Sequence, residues 1–189
     1  MQELNDAALL IIGMQQGTDD LRLGERNNPQ AEDNMRSLLQ AWRSAQRPVV
    51  HVRHISRVPD SVYFPGQPGV EFQPDFHPLA GEHVLEKSLP DAFTDTGLDD
   101  WLRAHGIKHV VIAGVVTNNS IEATARNAGN LGFAAFVPAD ATFTFDKTDF
   151  NGVRRSAEEV HAMSLANLQG EYATVTTSAQ LLAVRPISQ

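Results

Sequence analysis

Two polar side chains, Ser120 and Lys87, stand at positions suited to acyl-transfer chemistry. Ser120 follows the apolar run Val110–Val116, and Lys87 follows the apolar pair Val84–Leu85. A serine hydroxyl is a weak nucleophile until a neighbouring base removes its proton, and a buried lysine is such a base because burial lowers its pKa. The chain contains no cysteine, which excludes a thiol nucleophile. Ser120 and Lys87 are therefore the first candidates for a catalytic pair.

Each of these residues also has a plain structural interpretation. A serine at the start of a helix commonly accepts hydrogen bonds from free backbone amides, as an N-cap. An isolated lysine is most often a solvated surface charge. The catalytic hypothesis requires Lys87 to be buried beside Ser120, and the sequence leaves both interpretations open.

Short apolar runs alternate along the chain with segments of helical periodicity. The predicted strands are Ala7–Ile12, Val49–Val52, Val110–Val116, Phe133–Val137 and Tyr172–Thr176. The predicted helices are Gln30–Ala45, Leu98–His105, Asn119–Leu131, Ser156–Leu168 and Ser178–Val184. Such alternation indicates a parallel sheet covered on both faces. We predict an α/β fold, a three-layer doubly wound Rossmann-like arrangement with a mostly parallel sheet, in a single domain over residues 1–189.

Ligands of such sheets bind at the carboxyl ends of the strands. This rule points to the residues that follow Ile12, Val52, Leu85, Val115 and Val137. The long segment 55–81 has little periodicity, many prolines and several aromatic residues. A loop of this length in a compact domain is usually functional or disordered, and its aromatic residues favour a function. We expect a lid or a subunit contact there.

The charge of the chain disfavours two classes of binding partner. The formal net charge is −8, so phosphate backbones and anionic lipid surfaces are disfavoured, and we expect neither a nucleic acid nor a membrane as partner. The first residues, Met1–Asp6, lack the basic and apolar segments of a signal peptide, and no apolar run approaches the about 20 residues that span a bilayer. We predict a cytoplasmic protein with a small-molecule substrate.

The segment Gly114–Arg126 resembles the central motif of the isochorismatase-like (cysteine hydrolase) family. In that motif a strand ends in Gly, a tight turn contains Thr, and the nucleophile opens a helix that continues with Thr-x-Arg. Gly13–Gln15 is similar to the family's Asp-Met-Gln, and Glu86–Phe93 to the segment that carries its lysine. Asn130–Phe133 and Asp140–Ala141 resemble the next strand and its exit. The similarity covers nearly the whole chain.

The resemblance implies a mechanism in which an Asp deprotonates a Cys, a Lys assists, and two backbone amides hold the oxyanion. Carried onto this chain, it places the lysine at Lys87, a cis peptide at Val115–Val116, and the oxyanion donors at the amides of Val116 and Ser120. Two positions depart from the family. Gly13 stands where the family has Asp, and Ser120 stands where it has Cys.

These departures leave three functional hypotheses. The first is a hydrolase of a small amide or related compound, impaired or altered by Gly13 and Ser120, with Lys87 as the base. The second is a catalytically inactive family member that binds a ligand or a partner. The third is vinyl ether hydrolysis of the isochorismatase type, for which the missing Asp would have been the acid. Gly13 itself is open to two explanations, natural loss or deliberate substitution, and we expect a gap beside it.

Other candidates surround this pair. We predict substrate contacts from His54, Asn119 and Val115. Some relatives bind a metal with an Asp and two His near the second strand, but His51 and His54 lack a matching Asp cluster, so we predict no metal. We predict no cofactor.

The remaining predictions concern the surroundings of the site. Thr117 and Arg126 are expected to be structural, with Arg126 paired to an acid. Phe143, Phe145 and Phe150 are expected to line the pocket or a subunit interface, because the resemblance implies a homodimer or homotetramer.

Overall fold

The computed structural model describes residues 4–183, apart from the side chain of Asn5. Its strands are β1 Ala8–Ile12, β2 Val49–His54, β3 His83–Lys87, β4 His109–Val115, β5 Ala134–Pro138, β6 Thr142–Phe143, β7 Lys147–Thr148, β8 Arg154–Arg155 and β9 Thr174–Thr176. Its α-helices are α1 Ala31–Ser44, α2 Leu98–Ala104, α3 Glu122–Asn130, α4 Ala157–Leu168 and α5 Ser178–Leu182. Val184, the last residue of a predicted helix, lies outside the described residues. Within residues 4–183, no helix has both the length and the apolarity needed to cross a bilayer.

Seven strands form one sheet in the order β3-β2-β1-β4-β5-β9, with β6 paired to β4. Every pairing in this sheet is parallel. The chain runs outward from β1 to β3 and then returns to β4 on the other side of β1, so the strand order reverses between β1 and β4. This confirms the predicted doubly wound α/β fold. In such folds the crevice at the reversal binds the ligand.

The sheet is buried on both faces. All five residues of β1 are buried, and they alternate between two cores. Leu10 and Ile12 pack with residues of α2, α3 and α4, whereas Leu9 and Ile11 pack with residues of α1 and α5. A continuous apolar run is what a strand covered on both faces requires. The three layers follow from this pattern.

Two glycines allow β1 and β4 to approach each other closely at the reversal. Gly114 has a φ of 122°, and a side chain there would overlap the carbonyl oxygen of Ile12. Gly13, directly after β1, has a φ of 71°. L-residues with side chains rarely adopt such angles, so glycine is favoured at both positions.

The largest difference from the predicted elements lies just after β4. The sequence predicts one helix over Asn119–Leu131, but a π-helical turn, Thr117–Ile121, precedes α3. The Ile121 amide donates to the Val116 carbonyl, five residues back, at 3.2 Å. Turns of this kind are rare and occur often at functional sites. Ser120 lies inside this turn.

Candidate active site

A cleft of about 430 Å³ opens at the carboxyl ends of the central strands, where the strand order reverses. The structure brings all of the predicted site residues to its lining: Gly13, His54, Lys87, Val115, Val116, Asn119 and Ser120. The peptide Val115–Val116 is cis, as the family resemblance implies. The lining also contains polar residues that the sequence analysis did not single out for it, among them Gln15, Ser56, Arg57 and Tyr63.

Lys87 and Ser120 meet in this cleft. The Lys87 Nζ donates a hydrogen bond to Ser120 Oγ at 3.1 Å and another to the Leu89 carbonyl at 3.0 Å. The Lys87 side chain is buried, with 2% exposure, so it is not a solvated surface charge. The interpretation of Ser120 as an N-cap is wrong, since the caps of the π-turn and of α3 are Val116 and Ile121. The geometry joins a hydroxyl to a buried amine.

Burial is the main influence on Lys87. It lowers the pKa of the ammonium to about 8, while the charge of Asp91 has a smaller, opposite effect. The Asp91 carboxylate accepts hydrogen bonds from the amides of Phe93 and Thr94 and from Asn127 Nδ2. Within residues 4–183, no carboxylate forms an ion pair with Lys87. A lysine in this state is partly neutral near pH 8 and can accept a proton.

The turn that carries Ser120 is held in place by α4. Thr117 Oγ1 shares a hydrogen bond of 2.9 Å with His161 Nδ1, and Ser164 Oγ donates to the Thr117 carbonyl at 3.0 Å. His161 and Ser164 are both buried. The sequence analysis did not identify these two residues. Their spacing of three residues puts both on one face of α4, and two polar residues on a buried helix face are a signal that could have found them.

Gln15 ties the exit of β1 to the end of β2. Its side chain is fully buried, and its Nε2 donates to the carbonyls of His54 and Val70, each at 3.0 Å. Its Oε1 accepts a hydrogen bond from the His54 amide at 2.7 Å. All three bonds join segments far apart in the chain. Gln15 therefore fixes the backbone on which His54 enters the cleft.

His54 is neutral at ordinary pH. Burial, with help from the charge of Lys87, lowers the pKa of its imidazole to about 4. Its ring lies edge-on to Tyr63, with ring centroids 5.9 Å apart, and its buried Nδ1 has no hydrogen-bond partner among the described residues. Arg53, the preceding residue of β2, pairs with Glu86. An uncharged imidazole can give or take one hydrogen bond with a substrate.

Gly13 leaves no gap for a side chain. A Cβ placed on this residue would lie 2.7 Å from the Val115 carbonyl oxygen, and the φ of 71° is itself unfavourable for other residues. The expectation of free space beside Gly13 is therefore wrong at the Cβ position. An aspartate at position 13 requires a different backbone there.

Several other sequence predictions are settled by the packing. Arg126 pairs with Glu122, with 2.8 Å between Nη2 and Oε1. The three phenylalanines Phe143, Phe145 and Phe150 do not line the cleft. Phe143 is buried in the core under α1, Phe145 packs against that core, and Phe150 is 97% exposed. The pocket alternative of that prediction is wrong, and for Phe143 the reason is that β6 directs its side chain into the core.

The two histidines of β2 do not converge. The His51 ring bonds to Glu82 at 2.8 Å and does not line the cleft that contains His54. In the part of the chain that the structure describes, no group of three or more His, Asp or Glu side chains is arranged to hold a metal ion.

The fold and this site define a doubly wound α/β protein with a serine and a lysine at its strand-order reversal. The model of the isochorismatase domain matches residues 7–180. The isochorismatase family protein YrdC of Bacillus subtilis is 35% identical over 93% of this chain and 94% of its own length. Nicotinamidase 3 of Arabidopsis thaliana is 30% identical over 86% of this chain and 80% of its own length.

A solved structure gives the same assignment. A crystal structure of an isochorismatase-family protein from Chromobacterium violaceum is 55% identical, with a TM-score of 0.92 over 95% of this chain and 93% of that one. The chain belongs to the isochorismatase family of hydrolases.

We expect Gly13→Ala to lower the free energy of unfolding by about 2–4 kcal/mol, because it combines an unfavourable φ with a close contact to the Val115 oxygen. Gly106→Ala is the matched control, since Gly106 has a φ of 67° but no atom within 4 Å of its Cβ position. The control should lose about 1–2 kcal/mol, from the backbone angle alone. Urea unfolding of both variants measures the difference, and equal losses would contradict the close contact.

We expect Lys87→Met to raise the free energy of unfolding at pH 7 by about 1–3 kcal/mol. Depressing the ammonium pKa from 10.5 to about 8 costs the folded state about 3 kcal/mol, part of which is offset by the hydrogen bond to Leu89. The folded pKa is the lower one, so the unfolded chain binds more protons between pH 8 and 10.5. The stability of the parent protein therefore rises over that range relative to the variant.

Denaturant unfolding of the parent protein and of Lys87→Met, at pH 7 and near pH 10, tests this stability prediction. The gain from Lys87→Met should shrink at the higher pH. A variant that is less stable than the parent at pH 7, or a difference that does not change with pH, would show that burial does not depress the Lys87 pKa.

Proposed function

We propose that the protein hydrolyses a small amide or a related acyl compound, with Ser120 as nucleophile and Lys87 as base. The observation that carries this proposal is the contact of 3.1 Å between the buried Lys87 Nζ and Ser120 Oγ in the central cleft. The pairing of a nucleophile with a desolvated base is the arrangement that activates a hydroxyl. The family, which includes a relative named nicotinamidase, supports an amide as the bond that is cleaved.

The proposed reaction proceeds in two halves. The neutral Lys87 Nζ takes the proton from Ser120 Oγ as this oxygen attacks the carbonyl carbon. The amides of Val116 and Ser120 donate hydrogen bonds to the oxyanion. The Lys87 ammonium then gives its proton to the leaving nitrogen, and the bond from that nitrogen to the carbonyl carbon breaks. Water, deprotonated by the same amine, then attacks the acyl-serine ester. The ester bond to Ser120 Oγ breaks, the Lys87 ammonium returns the proton to this oxygen, and the acid is released.

Three further residues are proposed as substrate contacts. His54 offers a neutral imidazole whose buried Nδ1 has no partner among the described residues. Val115 belongs to the cis peptide, Asn119 lies in the π-turn that follows it, and both line the cleft. The proposed steps use groups of this chain alone, and Gly13 serves by allowing the backbone of β1 to pass close to Val115.

Two rival hypotheses remain open to experiment. A non-catalytic family member would bind its ligand in the same cleft without turnover. Vinyl ether hydrolysis would need an acid, and no carboxyl side chain of the described residues lines the cleft. The contact between amine and hydroxyl favours nucleophilic chemistry over both, at a rate impaired or altered by Gly13 and Ser120 relative to family members with Asp and Cys.

The domain organisation, the assembly and the location of the protein are proposals as well. We propose that residues 1–189 form a single domain, which is supported by a family match over residues 7–180 and by two cores that share one sheet. We propose a homodimer or homotetramer in the cytoplasm. Light scattering on the purified protein tests the assembly, and a monomer at micromolar concentration would overturn it.

We expect a fluorophosphonate probe to label the parent protein at Ser120 and a panel of small amides to be hydrolysed. The rate of labelling should rise with pH and reach half of its maximum near pH 8, because the neutral amine is the active form. Ser120→Ala and Lys87→Met should each reduce labelling by at least about a hundredfold. Ser44→Ala, an exposed serine at the end of α1, is the control.

The outcomes separate the hypotheses. Labelling that is unaffected by Lys87→Met would exclude lysine as the base. A parent protein that binds ligands but neither reacts with the probe nor hydrolyses any amide would favour the non-catalytic hypothesis.

A further inference from the structure

Arg57 is an arginine without an ion-pair partner. Among residues 4–183, the arginines that contact no carboxylate are Arg47 and Arg57. Arg47 has other partners: its guanidinium lies 3.7 Å from the centroid of the Trp42 ring and donates to the Leu4 carbonyl. Arg57 is exposed and lines the cleft.

The cleft has a positive character in an acidic protein. The chain carries a net charge of −8, yet the charged side chains in the lining are Lys87 and Arg57, with no Asp or Glu among the described lining residues. Cationic groups in a cleft raise the local concentration of anions.

Two of the acids whose charge reaches residues of the cleft have hydrogen-bond partners of their own. Asp20 influences Tyr63, but it is held by Arg22 through three side-chain hydrogen bonds. Asp91 influences Lys87 and is bonded to two backbone amides. Asp19 also influences Tyr63, which is uncharged, with a pKa raised to about 12 mainly by burial. Because Arg57 forms no ion pair with any of these acids, its guanidinium is available for a ligand.

We propose that the substrate carries a carboxylate and that Arg57 binds this group at the mouth of the cleft. This inference rests on the proposed function, because the carbonyl to be attacked must reach Ser120 while the carboxylate meets Arg57. A guanidinium binds a carboxylate through two parallel hydrogen bonds, which orient as well as hold it. The cleft, about 430 Å³, has room for a short chain that bears both groups.

Lys87 and Arg57 have different proposed roles because their surroundings differ. A carboxylate bound directly to Lys87 would favour the ammonium form and remove the base. A guanidinium offers only hydrogen-bond donors, so Arg57 can hold an anion without taking part in the proton transfer. Arg57 is thus a specificity-determining residue, and Lys87 stays free to exchange a proton with Ser120.

The test compares succinamate with succinamide, which have almost the same shape but differ by one negative charge. We expect the parent protein to hydrolyse succinamate with the higher kcat/KM. Arg57→Gln should lower kcat/KM for succinamate about tenfold, mainly through KM, and leave that for succinamide unchanged. Arg57→Lys should retain part of the preference. Lys147→Gln, which removes one positive charge from an exposed position away from the cleft, should change neither.

A binding experiment keeps this inference separate from catalysis. Glutarate binding to the Ser120→Ala variant is measured by calorimetry, with and without Arg57→Gln. Binding that Arg57→Gln abolishes supports the carboxylate site even if no amide is hydrolysed. Absence of glutarate binding, or an equal loss of activity toward succinamate and succinamide in Arg57→Gln, would overturn it.

Discussion

The burial of one amine without a carboxylate partner is the constraint on which this site depends. An ammonium removed from water loses much of its solvation, and only an opposite charge or strong hydrogen bonds restore that loss. Lys87 has a carbonyl and a hydroxyl as partners, and its pKa falls to about 8. The same physical cost that weakens the fold suits Lys87 to its proposed role as base near neutral pH. Stability and reactivity are therefore opposed at this residue.

The rest of the architecture keeps this pair together. β3 brings Lys87 to the edge of the cleft, and β4 leads through the cis peptide into the π-turn that carries Ser120. Contacts from α4 hold the turn through Thr117, and Gln15 joins the ends of β1 and β2 beneath the cleft. The proposed nucleophile and base must be held in a fixed geometry to react, and these contacts anchor the backbone around them.

The sequence predicted the fold class and the site residues better than it predicted the residues that hold the site in place. The spacing and order of apolar residues are local properties of a sequence. They therefore predict both ends of β1 and of β4 to within one residue. Motif similarity placed Lys87 and Ser120 in one site, although β2 and β1 separate their strands, β3 and β4, in the sheet. The π-turn was missed because its backbone depends on His161 and Ser164, which are some 40 residues away in the chain. Phe143 was misplaced because a strand of two residues leaves no pattern in the sequence.

The two departures that the family resemblance implies, Gly13 and Ser120, are consistent with the proposed mechanism. A carboxylate at position 13, close to Lys87, would favour the ammonium form and so remove the lysine as a base. A thiol can work under that condition, because its pKa of about 8.5 lies near neutrality and the carboxylate can take its proton. A serine hydroxyl is far less acidic and needs a stronger base, which a neutral lysine supplies. A serine at 120 is therefore compatible with the proposed catalysis when position 13 holds no acid.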